Sequence, residues 1–320
     1  MSNPVLRAAV FPADFEPIVA VLNAARPIRP RSVSELKRDC LHLEPDLKPH
    51  FTVAELAGQI VGLTEWQRNA GAYHPQRCSV ELCMHPDAQR RGLGRLLWDA
   101  LEREFHQLKM RSVTVQVSED HASGLHFAAE RGFVEVKRDF ESRLNVKTFD
   151  SSRFATLEAA LSERGVRLES WQALDSAAFR LELHAVFSAV RLDVPRSAPA
   201  TPISFAFFEQ HSLSDAELLW DASFVAVKDS QIVGFTGAYS GGAEGVADQW
   251  LTAVTREARG QQVALALKVK QLEALQKLGF NAVRTDNDTR NAAMLAVNAK
   301  LGFERQVAVL QLEKDFAPQR

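Results

Sequence analysis

The 320-residue chain is 46% hydrophobic and 24% charged, and its formal net charge is -2. This length exceeds what one small core needs, so two domains are expected. The mixed charges lack the basic stripe of nucleic-acid-binding proteins, which argues against a nucleic-acid partner. The first residues resemble no export signal, and apolar runs of about 18 residues are missing, so a cytoplasmic protein without a membrane partner is predicted.

The three cysteines Cys40, Cys78 and Cys83 are odd in number and widely spaced. Their spacing differs from the close pairs of zinc and redox sites, so reduced thiols and no metal are predicted. Cys83 lies in an apolar run, which is typical of an inert core thiol.

In chain order, the first half predicts a mixed α/β domain. The run that begins at Phe51, FTVAELAGQIVGLTEW, alternates apolar residues on both sides of a turn and predicts a β-hairpin. A strand SVELCM follows, and apolar residues then recur at helical spacing from Leu93 to Leu108. The strand SVTVQV, a short helix that ends near Glu130 and the strand FVEVKRDFESRLNV complete this half.

The second half repeats this order. FVAVKDSQIVGFTGAY, from Phe224, matches the first hairpin and shares its Gln-Ile-Val-Gly sequence. The two copies are offset by about 170 residues. The paired landmarks are Gly62 and Gly234, Gln89 and Arg259, and Gly132-Phe133 and Gly302-Phe303.

The polar stretch from Lys147 to Arg153 predicts the boundary between the copies, so we expect domains at 1–150 and 151–320. The segment ATLEAALSERG that follows predicts the opening helix of the second copy. Pro195 to Pro202 is rich in proline, alanine and serine, which indicates a loop inside the second copy.

The strand SVELCM is followed by DAQRRGLGRLLWDAL, a glycine-rich turn that opens a helix. Glycines allow backbone N–H groups to approach phosphate oxygens, and the start of a helix favours negative charge. The arginines of the turn can bind phosphate in a bidentate manner. The turn lacks the Lys-Ser/Thr of a nucleotide-binding P-loop and the third glycine of a dinucleotide fold, so a nucleotide site is the weakest of the alternatives.

QRRGLG resembles the Q/R-x-x-G-x-G/A signature of the GNAT-type N-acetyltransferases, and the elements around it follow in that family's order, twice. The resemblance implies two tandem GNAT folds, each a bent mixed sheet flanked by helices, with acetyl-CoA as cosubstrate. In copy one it implies coenzyme contacts at Leu82, Cys83 and Met84 and at Gln89, Arg90, Arg91, Gly92, Leu93, Gly94 and Arg95.

In copy two the matching positions are Thr252, Ala253, Val254, Arg259, Gly260, Gln261, Gln262, Val263 and Ala264. Gln262 replaces the first signature glycine, so a side chain is expected to obstruct phosphate there. Asn291 matches the first asparagine of a helix that contacts the pantetheine in tandem acetyltransferases, and copy one has His121 at that place.

The implied reaction is direct attack of an amine on the thioester. The family's usual acid is a tyrosine four residues before the Gly-Phe pair, but this chain has Ala128 and Asn298 at those positions. Asn298 and Tyr239 are the remaining catalytic candidates near the place of the missing acid. Glu81 and Asp286 are candidate bases. An alternative reading makes Asn291 and its polar neighbours helix caps.

Three functions stay open. Both copies are acetyltransferases, or one copy is catalytic and the other a degenerate structural partner, or the chain binds acyl-CoA without turnover. The expected acceptor is a small-molecule amine or an N-terminal amine, and the expected assembly is a monomer or a homodimer.

Overall fold

The computed structural model describes residues 3–27 and 30–316. The chain divides into two compact units: unit 1 consists of Met1–Arg138 together with Val309–Arg320, and unit 2 of Asp139–Ala308. The predicted domains, 1–150 and 151–320, are the two copies of the sequence repeat, and these boundaries stay a prediction. The compact units divide the chain elsewhere because of where its last strands pair.

Unit 1 contains the first copy's strands and helices. Its strands are β1 (Val5–Ala8), β2 (His50–Leu56), β3 (Gln59–Gln67), β4 (Arg77–Met84) and β5 (Ser112–Ser118). Its helices are α1 (Phe15–Ala25), α2 (Val33–His42), α3 (Leu93–Gln107) and α4 (Ala122–Ala129). The next strand, β6 (Val134–Asn145), runs past the unit boundary at Arg138.

Unit 2 contains the second copy. Its shorter helices are α5 (Leu157–Ser162), α6 (Trp171–Leu174) and α8 (Phe205–Phe208), and its longer ones α7 (Ala177–Val190), α9 (Val263–Lys277) and α10 (Ala292–Leu301). Its strands are β7 (Val166–Ser170), β8 (Phe224–Lys228), β9 (Gln231–Ser240), β10 (Val246–Val254), β11 (Ala282–Asp288) and the first part of β12 (Glu304–Asp315).

Each unit has one mixed sheet in the same strand order. In unit 1 the order is β1-β2-β3-β4-β5, antiparallel except for the parallel pair β4–β5. In unit 2 the order is β7-β8-β9-β10-β11, with β10–β11 as its parallel pair. The predicted mixed α/β fold, with two copies of a bent sheet flanked by helices, is confirmed.

The last strand of each sheet comes from the other copy's sequence. Val309 to Asp315 of β12 pair antiparallel with β5 and belong to unit 1. Asp139 to Asn145 of β6 pair antiparallel with β11 and belong to unit 2. The two copies therefore exchange their final strands. The sequence-based boundary near residue 150 did not anticipate this exchange.

The repeated glycine of the hairpins is required by close packing. A Cβ atom at Gly62 would lie 2.3 Å from the sulfur of Met84, and one at Gly234 would lie 2.8 Å from Val254. Both glycines therefore let β3 and β9 lie against the end of the next strand. No helix of the described residues is long and apolar enough to cross a membrane.

Candidate active site

The parallel strands of unit 1 separate before they end. β4 and β5 pair only from Arg77–Ser112 to Val80–Val115, although β4 continues to Met84 and β5 to Ser118. Beyond that point the backbone groups on the facing edges have no partner in the other strand. Such edges can bind the amides of an extended ligand.

Unit 2 has the same notch, with an additional distortion. β10 and β11 pair only from Val246–Ala282 to Asp248–Arg284. Immediately beyond, the β9–β10 register shifts between Gln249 and Thr252, so that two residues of β10 lie opposite Gly237. Such bulges re-aim side chains and are frequent beside active sites. The matching pairs of β3 and β4 run without a shift from Gly62 to Gln67.

The signature loop of unit 1 leads from β4 into α3. Arg90 and Gly92 both have left-handed backbones, at φ 61° and 78°. The first helical hydrogen bond runs from the Leu96 N–H to the Gly92 carbonyl, so the N–H groups of the first turn are free of helical partners. Space around Gly92 is open, since a Cβ atom there would meet nothing within 4 Å. This geometry suits an anion.

The loop of unit 2 repeats these two left-handed positions. Gly260 has φ 74° and Gln262 has φ 65°, so the glycine now occupies the first position instead of the second. The Ala266 N–H donates to the Gln262 carbonyl at 3.0 Å and begins α9. Gln262 is exposed, and its backbone repeats the conformation of Gly92. The loss of the signature glycine therefore changes the side chain but leaves the shape of the loop.

The arginines of the two loops have different partners. In unit 1, Arg91 donates to the Asp87 carbonyl at 2.8 Å, and Arg95 lies 3.7 Å from Asp99. In unit 2, both Arg256 and Arg259 form ion pairs with Asp193, which holds the pKa of that carboxyl below its usual range. Positive charge is thus partly neutralised beside the second loop.

The strand ends that resemble coenzyme-binding positions lie along the notches. In unit 1, Cys83 and Met84 are buried and Leu82 is half-buried. Burial raises the pKa of the Cys83 thiol well above its usual range, which fits an inert core thiol. In unit 2, the Thr252 hydroxyl lies 2.7 Å from that of Thr236.

Glu81 lies at the middle of a charged cluster in unit 1. Its carboxylate is 2.8 Å from Arg26 and accepts a hydrogen bond from the Cys83 thiol at 3.0 Å. On β3 the opposite residue is Glu65, whose pKa is raised mainly by burial and which binds Arg31 at 2.9 Å. Glu81 is therefore placed beside the notch, with an arginine as its neighbour.

Two further candidates of unit 2 lie on β9 and β11. Tyr239 belongs to an aromatic cluster with Trp250, and its hydroxyl donates to the Ser212 carbonyl at 3.2 Å. Asp286 is exposed on β11, where Glu141 is its partner in the register. Its neighbour Asn287 points to the opposite face of the sheet, as strand alternation requires. Tyr239 pairs with Asp248 in the register of β9 and β10.

Asn291 caps α10. Its side-chain oxygen accepts a hydrogen bond from the Met294 N–H at 3.3 Å. This is the capping geometry that the sequence left open as an alternative. His121, the equivalent residue, precedes α4 and forms no side-chain cap.

Asn298 is the candidate with the most developed surroundings. It is 2% exposed, its carbonyl oxygen accepts from Lys268 at 2.6 Å, and its amide donates to Asn287 at 2.5 Å. Lys268 also donates to Gln249, which in turn donates to Gln271. The sequence predicted a role for Asn298, but it gave none to the lysine or to the two glutamines.

The sequence does contain a signal for Lys268. It lies three residues after Leu265 and four before Leu272, in the apolar stripe of α9. A lysine inside such a stripe is rare unless it has buried partners. No group of three histidine, cysteine or acidic side chains in residues 3–27 and 30–316 is arranged to hold a metal ion.

Comparison with known proteins finds related family models in both halves of the chain. Residues 34–144 match the acetyltransferase (GNAT) domain, and residues 177–303 match the acetyltransferase (GNAT) family. The chain is 24% identical over 243 residues to the mycothiol acetyltransferase of Renibacterium salmoninarum. That match covers 72% of this chain and 65% of the relative, so the chain spans less than two thirds of its length.

Two solved structures resemble the whole chain. A tandem GNAT protein from the clavulanic acid biosynthesis pathway superposes with a TM-score of 0.76, at 18% identity, over 99% of this chain and 100% of its own. A GCN5-related N-acetyltransferase from Sphaerobacter thermophilus gives 0.68 at 18% identity, over 99% and 97%. With two matching domains in tandem, the chain belongs to the GNAT acetyltransferase family.

Proposed function

We propose that the chain is an acetyl-CoA-dependent N-acetyltransferase that acts on a small-molecule amine or an N-terminal amine. The observation that carries the proposal is the repeated notch. In each unit two parallel strands separate, and the first leads into a loop with two left-handed residues at the start of a long helix. Unpaired strand edges suit the amides of a pantetheine arm, and the loop suits its pyrophosphate.

In this proposal the backbone of Leu82 to Met84, or of Thr252 to Val254, binds the pantetheine amides. The N–H groups of the α3 or α9 first turn bind the pyrophosphate. Acetyl-CoA supplies the acetyl group as an activated thioester. Glu81 in unit 1, or Asp286 in unit 2, accepts the proton that the amine loses, directly or through water.

The amine class follows from charge. Glu81 and Glu65 lie opposite each other beside the notch of unit 1, with Asp39 joined to Glu65 through Arg31. Carboxylates that outnumber the arginines beside them favour a cationic acceptor. We therefore expect the acceptor to be a small amine. We propose that the protein works as a monomer or homodimer in the cytoplasm, with neither a nucleic acid nor a membrane as partner.

Acetyl-CoA binding tests the coenzyme part. Gly92→Trp should weaken acetyl-CoA binding by at least about tenfold, or 1.4 kcal/mol, because the side chain enters the open side of the loop. Gly58→Trp is the matched control, since Gly58 also has a left-handed backbone with open space around it but lies in the β2–β3 turn. Equal affinity and stoichiometry in the Gly92→Trp and parent chains would show that the site is misassigned.

Thiol release from acetyl-CoA in the presence of a panel of amines tests turnover, and mass spectrometry of the product identifies the acylated amine. Turnover with an amide product supports the proposal. Coenzyme binding without turnover for any amine would leave an acyl-CoA-binding protein instead.

A second candidate has one catalytic copy, and the polar residues of unit 2 favour it. Lys268, Asn298 and Asn287 form a chain of hydrogen bonds in unit 2. The matching residues of unit 1, at an offset of about 170, are apolar. Trp98 replaces the lysine and Ala128 replaces Asn298. Unit 1 would then bind the coenzyme without reacting. Single-loop variants, Gly92→Trp and Gly260→Trp, separate these cases because only the working unit's variant abolishes turnover.

A further inference from the structure

Lys268 is a buried cation without a buried anion. It is 1% exposed, its ammonium donates to Gln249 and to Asn298, and it lies 5.0 Å from the centre of the Phe303 ring. Among residues 3–27 and 30–316, no carboxylate contributes to the pKa of Lys268, which burial alone shifts. Buried lysines ordinarily have a carboxylate partner, because an isolated buried charge is costly.

The lysine and its partners lie where the notch of unit 2 closes. Gln249 is the first residue of β10 beyond the last pair with β11, Asp248–Arg284. Asn287 is three residues beyond that pair on β11 and is half-buried. A chain of hydrogen bonds therefore runs from the buried ammonium through Asn298 to Asn287 at the notch.

The fold does not need this polarity. Unit 1 fills the position of Lys268 with Trp98, which is 2% exposed and packs on Phe133 at 5.3 Å. Within the described part of the chain, the Trp98 indole N–H has no hydrogen-bond partner. Because apolar side chains close the same position in unit 1, the buried amides and lysine of unit 2 add desolvation cost without being required for packing.

We propose that Lys268 is a positioning residue that acts through Asn298 to place positive charge at the closed end of the unit 2 notch, where it stabilises the thiolate of coenzyme A. An ammonium that binds the amide oxygen of Asn298 polarises that amide and strengthens its N–H donors. In a buried setting this effect is larger than in water. The inference rests on the proposed function and places the thiolate-forming step in unit 2.

The amine nitrogen forms a bond to the acetyl carbon, the carbon–sulfur bond breaks, and its electron pair stays on sulfur. The proton lost by the nitrogen passes to water or to a carboxylate. The thiolate is then the anion that the buried cation lacks.

The surroundings of Lys268 keep this charge uncompensated. The groups that face it are Gln249 from β10, Asn298 from α10 and Phe303, and none of these titrates. Burial lowers the pKa of Lys268 to about 7, whereas the two amide oxygens bind its charged form. Lys270, two residues along the helix, instead binds Glu158 at 2.6 Å.

The test uses coenzyme A itself with the full chain carrying Gly92→Trp, so that the unit 1 loop is disabled. The pKa of the bound thiol is read from thiolate absorbance across a pH series. We expect a value at least about one unit below that of free coenzyme A, a tenfold change in the ionisation constant. Adding Lys268→Met should return the thiol pKa to near the free value.

Two further variants control for structure. Lys270→Met makes the same substitution on the same helix and should leave the thiol pKa lowered. Asn298→Asp keeps the volume but supplies a carboxylate to Lys268, so it should also abolish the lowering. The latter variant tests the idea even where Lys268→Met fails to fold.

In steady-state kinetics with the parent loop, Lys268→Met should lower kcat about tenfold or more with the KM for acetyl-CoA within about twofold. An identical thiol pKa in all variants, or no coenzyme binding to the Gly92→Trp chain, would overturn the inference. A lowered thiol pKa without amine acetylation would leave the inference standing and reject the proposed function, so the two failures are distinguishable.

Discussion

Single residues with left-handed backbones shape the loops that open α3 and α9. Gln262 holds φ 65° at a position where unit 1 has glycine. This conformation costs a residue with a Cβ atom roughly 1 to 2 kcal/mol, whereas glycine adopts it at almost no cost.

Gln262→Gly is therefore expected to raise the free energy of unfolding of unit 2 by about 1 kcal/mol, less the entropy that glycine adds to the unfolded chain. Thermal unfolding measures this change. Gln261→Gly, at a residue without a left-handed backbone, is the matched control and should lower the stability. A loss of stability in both variants would show that the loop strain is absent.

The sequence did not predict the buried partners of Lys268. The polar residues near the end of unit 2 stood out because asparagines and aspartates cluster there. Lys268 and Gln271 lie on α9 and Gln249 lies on β10, outside that cluster in sequence. Only the packing of the helix on the strand brings them together. Their common feature is that they are buried, and a count of polar residues along the sequence does not reveal burial.

At the scale of elements, the two hairpins depend on one glycine each. A Cβ atom at Gly62 meets mainly the flexible Met84 side chain, at 2.3 Å, whereas one at Gly234 lies 3.0 Å from the Ala253 carbonyl and 2.8 Å from Val254. A methionine can move, but a strand backbone and a β-branched side chain yield less.

We expect Gly62→Ala to cost about 1 kcal/mol and Gly234→Ala about 2 to 3 kcal/mol of stability, within the range for overpacking. Chemical denaturation of the two variants, with unchanged dependence on denaturant, measures the difference. Equal losses would mean that Met84 is held as rigidly as the strand.

The exchanged final strands complete the sheet of each unit. A chain that ends at Ala308 loses the β12 residues that pair with β5, including Leu310 and Leu312, which are both buried. Unit 1 should then lose protection from hydrogen exchange along Ser112 to Ser118, while the amides of α9 in unit 2 stay protected. Loss of protection in α9 instead would contradict this assignment of the strand.

The sequence predicted the hairpin of each copy and the helix that follows each loop because their periodicity is local. It did not predict the exchange. β6 and β12 occupy the same place in the repeat, after Gly132-Phe133 and Gly302-Phe303, and their patterns are equivalent. Since either strand suits the edge of either sheet, the choice depends on the three-dimensional path of the chain, which no local pattern records.

For the whole molecule, Lys268 links stability to pH. Its pKa falls from 10.5 to about 7 on folding, so between these values the unfolded chain binds more protons than the folded chain. The free energy of unfolding should therefore rise with pH from about 7 towards 10.5, and below pH 7 this dependence should disappear.

Comparing the parent with Lys268→Met isolates this contribution, because the variant should lack the rise while Lys270→Met keeps it. Denaturation at a series of pH values provides the measurement. Parallel curves for the parent and Lys268→Met would show that the lysine has the same pKa in both states.

The exchange of final strands also sets an order on biosynthesis. A ribosome makes residues 139–308, which contain all of unit 2, before it reaches Val309. Unit 2 can thus fold before unit 1 is complete. Until β12 leaves the exit tunnel, β5 remains an open edge of the unit 1 sheet. The part of the protein that is translated first is the last to be finished, and during that interval chaperones have an unpaired strand to protect.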